Sequence, residues 1–385
     1  MNFANAEVII TTFVLSLVLI ISLIGNGLTI IATLMNAKLR SYTCLLVCNL
    51  AVSDFLITCI NLPIRMCQLF GLDWATRGMA QCKASVAITC FLFTTSNSNL
   101  FLITLDRFLG VSFPLRYRSL MTIRKLTCAV LISWAYALVV ASFPFVVTGQ
   151  KPSTSSLKNH TIEVCTFSTA FTPAYVLFIE FGTFFTSWFM MLAMYMCILR
   201  ILYTSRNSKL RSVRQLSEHN SDNRDFQSGN SVRSHKGSVC SISRGVNFMK
   251  AIRREVKLAK SILIILTLYT ILLVPIATID VVDTISEATV ISPIAIKIAL
   301  VLAYTNPAVN PPVYVMTSGR YRTAFTHLLC CFDFLTSRRN TGEQSTTVVF
   351  SRYRRRSNRE VIKTPPTATA TTVIDLSHRF DSEYV

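Results

Sequence analysis

Four long stretches of this chain contain no Asp, Glu, Lys or Arg: residues 8–37, 84–105, 126–150 and 261–279. Three further apolar stretches, 43–64, 166–199 and 288–318, contain one charged residue each. About 20 apolar residues suffice for a helix to cross the hydrocarbon layer of a membrane. We therefore predict seven membrane spans, numbered 1 to 7 in chain order. Only 15% of the residues are charged, against about 25% in soluble domains, which argues against a soluble two-domain protein.

The spans are predicted to be helices, because backbone polar groups in hydrocarbon need partners within the protein and the segments are too long for barrel strands. The fold class is therefore an all-α membrane protein, a seven-transmembrane helix bundle. Residues 1–7 contain no basic region, so the first segment is expected to be retained and not removed as a signal peptide. The five histidines lie in predicted loops or tails. We expect no enzyme, no catalytic residue and no metal cluster.

The distribution of basic residues predicts the orientation of the chain. The first, third and fifth loops carry net charges of +2, +4 and +10, and the segment after span 7 carries +5. Basic loops stay on the cytoplasmic side, so the C-terminus is predicted to be cytoplasmic and the N-terminus extracellular in a multi-pass plasma-membrane protein. This charge flanks the spans and faces anionic membrane lipids, so nucleic-acid binding is not expected.

Modification signals agree with this orientation. The sequence Asn159-His160-Thr161 predicts glycosylation of Asn159 on the outer face. Cys82 and Cys165 fall on the same oxidising side, where a disulfide between them can persist. Cys330 and Cys331 fall on the reducing side, where palmitoylation is favoured over a disulfide.

The predicted organisation has four parts. They are an extracellular N-terminus (1–7), a transmembrane domain (8–317), a short amphipathic eighth helix (318–331) and a disordered cytoplasmic tail (332–385). Within the second part, residues 204–250 are rich in Ser, Arg and Asn and are expected to be a disordered cytoplasmic loop.

Asp54 lies in the middle of span 2, where an ionisable side chain is costly and usually functional. Polar Ser96 on span 3, with Asn306 and Asn310 on span 7, lies at a similar depth. We expect an interior site for water or a cation, with a sodium ion at Asp54 as the only candidate cofactor. The alternative is a protonated, hydrogen-bonded Asp54.

Signature residues occur in order along the spans. They are Asn26, Asp54, Cys82, Asp106-Arg107-Phe108, Trp134, Pro275 and Asn310-Pro311-Pro312-Val313-Tyr314. In this the chain resembles the rhodopsin-like (class A) family of G-protein-coupled receptors, with orphan-like features. The resemblance implies a receptor that transmits an extracellular signal to a heterotrimeric G protein, with arrestin and receptor kinases as further partners.

The resemblance also implies roles for residues at the inner end of the bundle. Asp106 and Glu255 hold Arg107 at rest, and Tyr195 and Tyr314 belong to the same coupling region. Activation swings span 6 outward and opens a cytoplasmic groove. Pro275 provides the pivot, because proline removes one helix hydrogen bond and kinks the helix.

Several positions depart from the family. Where span 6 usually has Phe, Cys, Trp and Pro, this chain has Tyr269, Leu272, Leu273 and Pro275. Ser187 stands where span 5 usually has a proline. Thr89 occupies the position of the amine-binding aspartate, which disfavours an ordinary monoamine mode. Tyr304 occupies the position of the retinal-bearing lysine, which disfavours light sensing.

The ligand cavity is predicted from helical spacing and from the family's usual cavity positions. Its expected residues are Thr89, Cys90, Phe93, Glu180, Thr183, Leu273, Ile276, Ala277, Asp280, Leu300 and Tyr304. Two of them are acidic, so we expect a cationic small molecule or a basic peptide, although the ligand itself is unknown. The alternative is that Lys297 pairs with one of these acids as an internal salt bridge.

A seven-span channel or transporter is the competing class, because it also places acids within the membrane. Transporters tend to have repeated halves with paired broken helices, and no such repeat is found in this sequence. That class also leaves Asp106-Arg107-Phe108 without a role.

Overall fold

The computed structural model describes residues 3–69, 79–147, 167–222, 263–286 and 291–340. Spans 1, 3, 4, 6 and 7 are continuous helices over Phe3–Met35, Met79–Ser112, Ile123–Val147, Leu263–Ile285 and Pro293–Thr317. Span 2 runs through Tyr42–Leu56, a π-helical stretch Ile57–Asn61 and Leu62–Leu69. Span 5 runs through Pro173–Leu177, a π-helical stretch Phe178–Phe185 and Thr186–Asp222. Short helices occupy Ala37–Leu39, Tyr117–Leu120 and Phe167–Ala170, and a last helix covers Gly319–Asn340.

Six of the described helices, spans 1 to 6, are long and apolar enough to cross a membrane. Span 7 has 25 residues, which is also sufficient length for a crossing. Its polar side chains, including Asn306, Asn310 and Tyr314, are buried among other helices. Ser292 caps its N-terminus by accepting a hydrogen bond from the Ala295 N–H (3.3 Å), and Pro293 follows at the first helical position.

Large apolar side chains cover the outside of the spans. Phe13 is 64% exposed, Ile132 67% and Val146 81%. A water-soluble protein rarely exposes so many apolar side chains in contiguous patches. This surface suits a lipid environment, in which the polar groups belong to the interior.

Span 3 lies at the centre of the bundle and packs against spans 2, 4 and 5, while span 1 packs against spans 2 and 7. One buried apolar cluster joins span 6 to this framework, because Leu266 and Tyr269 pack with Met191 and Tyr195 of span 5. The same cluster includes Phe325 of the last helix. The bundle therefore brings residues from all the spans into one interior.

The contact between spans 1 and 7 explains the residue pair Gly25-Asn26. Pro311 has no N–H, so the carbonyl oxygen of Pro307 lacks its usual partner within the helix. Asn26 supplies that partner by donating its side-chain N–H to this oxygen at 3.0 Å. Gly25 allows the approach, because a Cβ atom there would meet the Pro311 ring at 2.8 Å.

Spans 2, 3 and 4 are joined by a chain of side-chain hydrogen bonds. The Trp134 indole N–H donates to Asn49 (3.2 Å), and Asn49 donates to Asn99 (2.6 Å). Asn99 in turn donates to the Ser53 hydroxyl at 3.2 Å. This network gives Trp134, recognised in the sequence, a polar role between the helices.

Three segments differ from the sequence prediction. Residues 204–222, expected in a disordered loop, continue the helix of span 5, and they contain no Gly or Pro that would end it. A helix covers Gly319–Asn340, so it includes residues 332–340, which were expected to belong to a disordered tail. The first helix begins at Phe3, although its apolar span begins at Val8.

The chain separates into two compact units, Met1–Cys330 and Cys331–Val385. The first contains the whole bundle. Of the second, the structure describes residues 331–340, which are helical.

A test of the contact between spans 1 and 7 compares Gly25→Ala with Gly27→Ala. We expect Gly25→Ala to lower the unfolding temperature, because overpacking a rigid ring costs about 1–3 kcal/mol and alanine gains only about 1 kcal/mol over glycine in a helix. A Cβ atom at Gly27 would lie 3.8 Å from its nearest neighbour, an atom of the Phe55 ring, so this substitution should leave stability unchanged or raise it. Thermal unfolding of the purified protein measures both, and equal effects would contradict this packing.

Candidate functional site

A cavity of roughly 830 Å³, its open mouth included, lies among spans 2, 3, 5, 6 and 7. All eleven residues predicted for the ligand cavity line it: Thr89, Cys90, Phe93, Glu180, Thr183, Leu273, Ile276, Ala277, Asp280, Leu300 and Tyr304. Glu180 and Asp280 are 6% and 5% exposed. Both carboxylates line the cavity and interact electrostatically with each other. Spans 5 and 6 therefore give the cavity an acidic side.

The π-helical stretch of span 5 positions Glu180 and Thr183 toward the interior. A π-helix adds a residue to each turn and often occurs at functional sites. The Thr186 hydroxyl donates to the Phe181 carbonyl five residues earlier, at 2.6 Å. Span 5 therefore has a widened turn although Ser187 replaces the usual proline.

Eight residues lining the cavity were missed by the sequence prediction: Arg65, Thr94, Asn97, Phe167, Ile179, Phe184, Tyr269 and Ala303. Arg65 is the most consequential, because it places a cation beside the acidic residues. It is 5% exposed and interacts electrostatically with Asp280. Lys297, the cation considered from the sequence, is half-buried and is not among the lining residues that the structure describes.

A hydrogen-bonded chain joins spans 3, 5 and 6 at the inner end of this cavity. The buried Tyr269 hydroxyl donates to Asn97 (2.7 Å), and Asn97 donates to the Ser187 hydroxyl (2.7 Å). The Tyr269 ring stacks on Phe184 at 5.8 Å. Two of the departures from the family, Tyr269 and Ser187, are thus members of one polar connection.

Asp54 lies between spans 3 and 7 with its side chain fully buried. Ser96 donates to one carboxylate oxygen (2.9 Å) and Asn310 donates to the other (2.7 Å). Asn306 is 6% exposed and lies one helical turn before Asn310. The structure therefore brings together three of the four predicted residues by hydrogen bonds and places the fourth one turn away.

Arg107 lies near the end of span 3 that the sequence predicts to be cytoplasmic. It pairs with Asp106 at 2.6 Å and also donates to the Thr43 hydroxyl. Asp106 accepts further hydrogen bonds from Thr43 (2.7 Å) and from the Tyr117 hydroxyl (2.6 Å). Burial, and then the Asp106 carboxylate, raise the pKa of Tyr117 above its ordinary value, so the phenol stays a donor at neutral pH. Sequence reasoning missed Thr43 and Tyr117.

The other predicted residues have separate positions. Tyr195 and Tyr314 are buried, and the Tyr314 ring lies 5.8 Å from that of Tyr321. Cys82 forms a disulfide bond, while Cys165, Asn159 and Glu255 lie outside the described residues. Cys330 is exposed, and Cys331 follows it in the same helix.

Comparison with known proteins places this geometry in a family. Residues 25–314 match the 7 transmembrane receptor (rhodopsin family). The alpha-1A adrenergic receptor of Mus musculus is 28% identical over 336 residues, covering 84% of this chain and 68% of that receptor. The corresponding receptor of Oryzias latipes is 26% identical over 329 residues (84% and 67%). The histamine H2 receptor of Homo sapiens is 24% identical over 320 residues (83% and 79%).

The chain therefore belongs to the rhodopsin family of seven-transmembrane, G-protein-coupled receptors. Members of this family are multi-pass plasma-membrane proteins that couple to G proteins. The competing class of channel or transporter is not favoured.

The polar chain below the cavity can be tested with two matched Tyr→Phe substitutions. Tyr269→Phe removes the donor to Asn97 and should lower the free energy of unfolding by about 1–2 kcal/mol. Tyr304 is equally buried, but its hydroxyl has no hydrogen-bond partner within the described ranges. Tyr304→Phe removes no hydrogen bond that the structure describes and should leave stability unchanged or raise it. Unfolding of the two purified variants without ligand measures the difference, and equal losses would argue against the Tyr269 bond.

Proposed function

We propose that this receptor binds a ligand bearing a positively charged group in its outer cavity. We further propose that binding opens a groove around Arg107 for a heterotrimeric G protein. The observation that carries this proposal is the placement of two buried carboxylates, Glu180 and Asp280, on one side of the cavity. Buried carboxylates are stabilised by an opposite charge, which a cationic ligand supplies.

The relatives are named as adrenergic and histamine receptors, and these names support an amine as the cationic group. Amine receptors bind the positive group of the ligand through an aspartate on span 3, and this chain has Thr89 at that position. The positive group must therefore be bound by other residues. The single hydroxyl hydrogen of Thr89 is shared between the side-chain oxygen of Asn61 (3.0 Å) and the Ser85 carbonyl oxygen (2.8 Å). The carboxylates of spans 5 and 6 would take over the role of that aspartate.

The hydrogen bonds around Arg107 support a two-state element. Thr43 and Tyr117 help to hold Asp106 in position for Arg107, so the cluster stabilises the resting arrangement. A ligand shifts such an equilibrium only by binding the two states with different affinity. Residues on spans 5 and 6 contact the cavity directly, so a ligand there can favour one arrangement of span 6.

The remaining assignments belong to this proposal. The N-terminus is extracellular and the C-terminus cytoplasmic, with glycosylation at Asn159 and palmitoylation at Cys330 and Cys331. Cys82 pairs with Cys165. Arrestin and receptor kinases bind the cytoplasmic face.

Asp54 is a candidate site for a sodium ion. Its carboxylate and the Ser96 hydroxyl are oxygen ligands that suit a small hard cation. Both oxygens of the Asp54 carboxylate accept hydrogen bonds from neutral donors. These donors do not balance the negative charge of the carboxylate, whereas a bound cation would. The same pocket would also suit a protonated carboxyl group.

Coupling is tested by nucleotide exchange on added G proteins with the full chain in membranes. Arg107→Ala should abolish stimulation. Glu255→Ala should raise exchange without ligand, by up to about tenfold if the lost pair contributes 1.4 kcal/mol. Glu218→Ala removes an acid of equal charge and should leave exchange unchanged. Unaltered basal exchange in Glu255→Ala at equal surface expression would contradict the proposed pairing of Glu255 with Arg107.

The acidic side of the cavity is tested by screening amines and basic peptides on cells with a promiscuous G-protein reporter. Glu180→Gln should reduce the potency of an active cation by about 10- to 100-fold, because a charge-assisted bond is lost. Glu163→Gln, in the predicted outer loop, serves as the control. Retained potency in Glu180→Lys would remove Glu180 from the binding site.

A further inference from the structure

The cavity contains a cation as well as acids. Arg65, from the helix Leu62–Leu69 of span 2, lines it together with Glu180 and Asp280, and each of these side chains is at most 6% exposed. A guanidinium group offers five N–H donors in a planar fork that matches a carboxylate. The walls of the cavity therefore carry both signs of charge.

Two further donors belong to the same two spans as the donor side of the cavity, Tyr304 on span 7 and Asn61 on span 2. Tyr304 is one of the residues that line the cavity, and Asn61 lies one helical turn before Arg65, outside the set of lining residues. Neither the Tyr304 oxygen nor the Asn61 nitrogen has a hydrogen-bond partner among residues that the structure describes, although both are buried. A buried polar group without a partner costs about 1–3 kcal/mol. Such groups are expected to meet a ligand or a water molecule.

The Asn61 amide is oriented by a neighbour on span 3. The Thr89 hydroxyl donates to its oxygen at 3.0 Å, which identifies the nitrogen as the remaining group. Tyr304 is held by edge-to-face packing of its ring on Phe93, with ring centroids 5.7 Å apart. Spans 2 and 7 thus supply hydrogen-bond donors.

Spans 5 and 6 supply hydrogen-bond acceptors, because Glu180 and Asp280 are carboxylates on these spans. The two groups also interact electrostatically with each other. Apolar side chains such as Phe93, Leu273 and Ile276 also line the cavity. The wall therefore has donors on spans 2 and 7 and carboxylates on spans 5 and 6, and the two sets meet where Arg65 interacts electrostatically with Asp280. A ligand with one positive group alone would use only the second of these two sides.

We infer that the ligand is amphoteric, an amino-acid-like molecule whose ammonium group is bound by Glu180 and Asp280 and whose carboxylate is bound by Arg65 and the Tyr304 hydroxyl. This inference rests on the proposed function, since it concerns the same cavity. It adds a specificity-determining role for Arg65. An apolar or aromatic side chain on the ligand would contact the apolar part of the wall.

The test uses matched probes that differ only in charge. Each set contains an amino acid, the amine without its carboxylate, and the N-acetyl acid without its positive charge, built on phenylalanine, tryptophan and histidine. Binding to the purified full-length receptor is measured by the rise in unfolding temperature, because a ligand stabilises the state that it binds. In at least one set, the amino acid should stabilise the receptor more than either partner does.

Substitutions then identify the carboxylate site. Arg65→Gln should weaken binding of that amino acid by about 10- to 100-fold and leave binding of the amine unchanged. Tyr304→Phe should weaken binding of the amino acid in the same way, by about fivefold, and it is the variant to use if Arg65→Gln folds poorly. Lys297→Gln removes a cation outside the cavity wall and should change neither affinity.

Three results would overturn the inference. They are stabilisation by the amine equal to that by the amino acid in every set, no stabilisation by any amino acid, or a loss of amine binding in Arg65→Gln equal to that of the amino acid. The last result would assign Arg65 to an internal pair with Asp280. No G protein is present in this assay, so failure here leaves coupling intact, and failure of nucleotide exchange leaves the binding result standing.

Discussion

The hydrocarbon interior of a membrane offers no water, so each polar group inside this bundle must find its partner within the protein. That requirement organises the described structure from one end to the other. Asn26 meets the carbonyl released by a proline, and Asp54 receives two neutral donors. Arg107 meets a carboxylate that is itself held by two hydroxyl groups. The polar residues join helices that apolar packing alone would leave free to slide.

This arrangement also separates two tasks. The charged residues Arg65, Glu180 and Asp280 line a cavity towards one end of the bundle, whereas Arg107 and its partners lie towards the other end. Tyr269 and Asn97 line the cavity and bond to each other across spans 3 and 6. A ligand that moves Tyr269 therefore acts on span 6 through a direct contact. Span 6 of this chain has Leu273 where the family usually has a tryptophan. The hydrogen bond between Tyr269 and Asn97 joins spans 3 and 6 about one helical turn away from that position.

Much of this architecture follows from the sequence because its causes are local or strongly patterned. Charge-free segments reveal the spans, helical spacing together with the family's usual positions predicts the cavity residues, and Asp106-Arg107-Phe108 predicts the cluster at the other end. Arg65 escaped prediction because it follows directly after the apolar stretch 43–64, from which span 2 was predicted. The helix continues to Leu69, and Arg65 is buried. This burial depends on tertiary contacts with other spans, which the sequence of span 2 alone does not reveal. Thr43 escaped prediction because a single threonine forms no recognisable sequence pattern, and only its contact with Asp106 in the structure reveals its role.

The central claim is that the outer cavity and the cluster around Arg107 belong to one two-state protein. Two sites coupled in this way influence each other reciprocally. The most direct measurement is the distance between spin labels at Arg124 on span 4 and Leu263 on span 6, both exposed, in the purified receptor with and without a G protein. The account predicts a second, longer distance population when the G protein is added, enlarged further by any compound that binds the cavity and activates signalling. An identical distance distribution under both conditions, with the G protein bound, would contradict it.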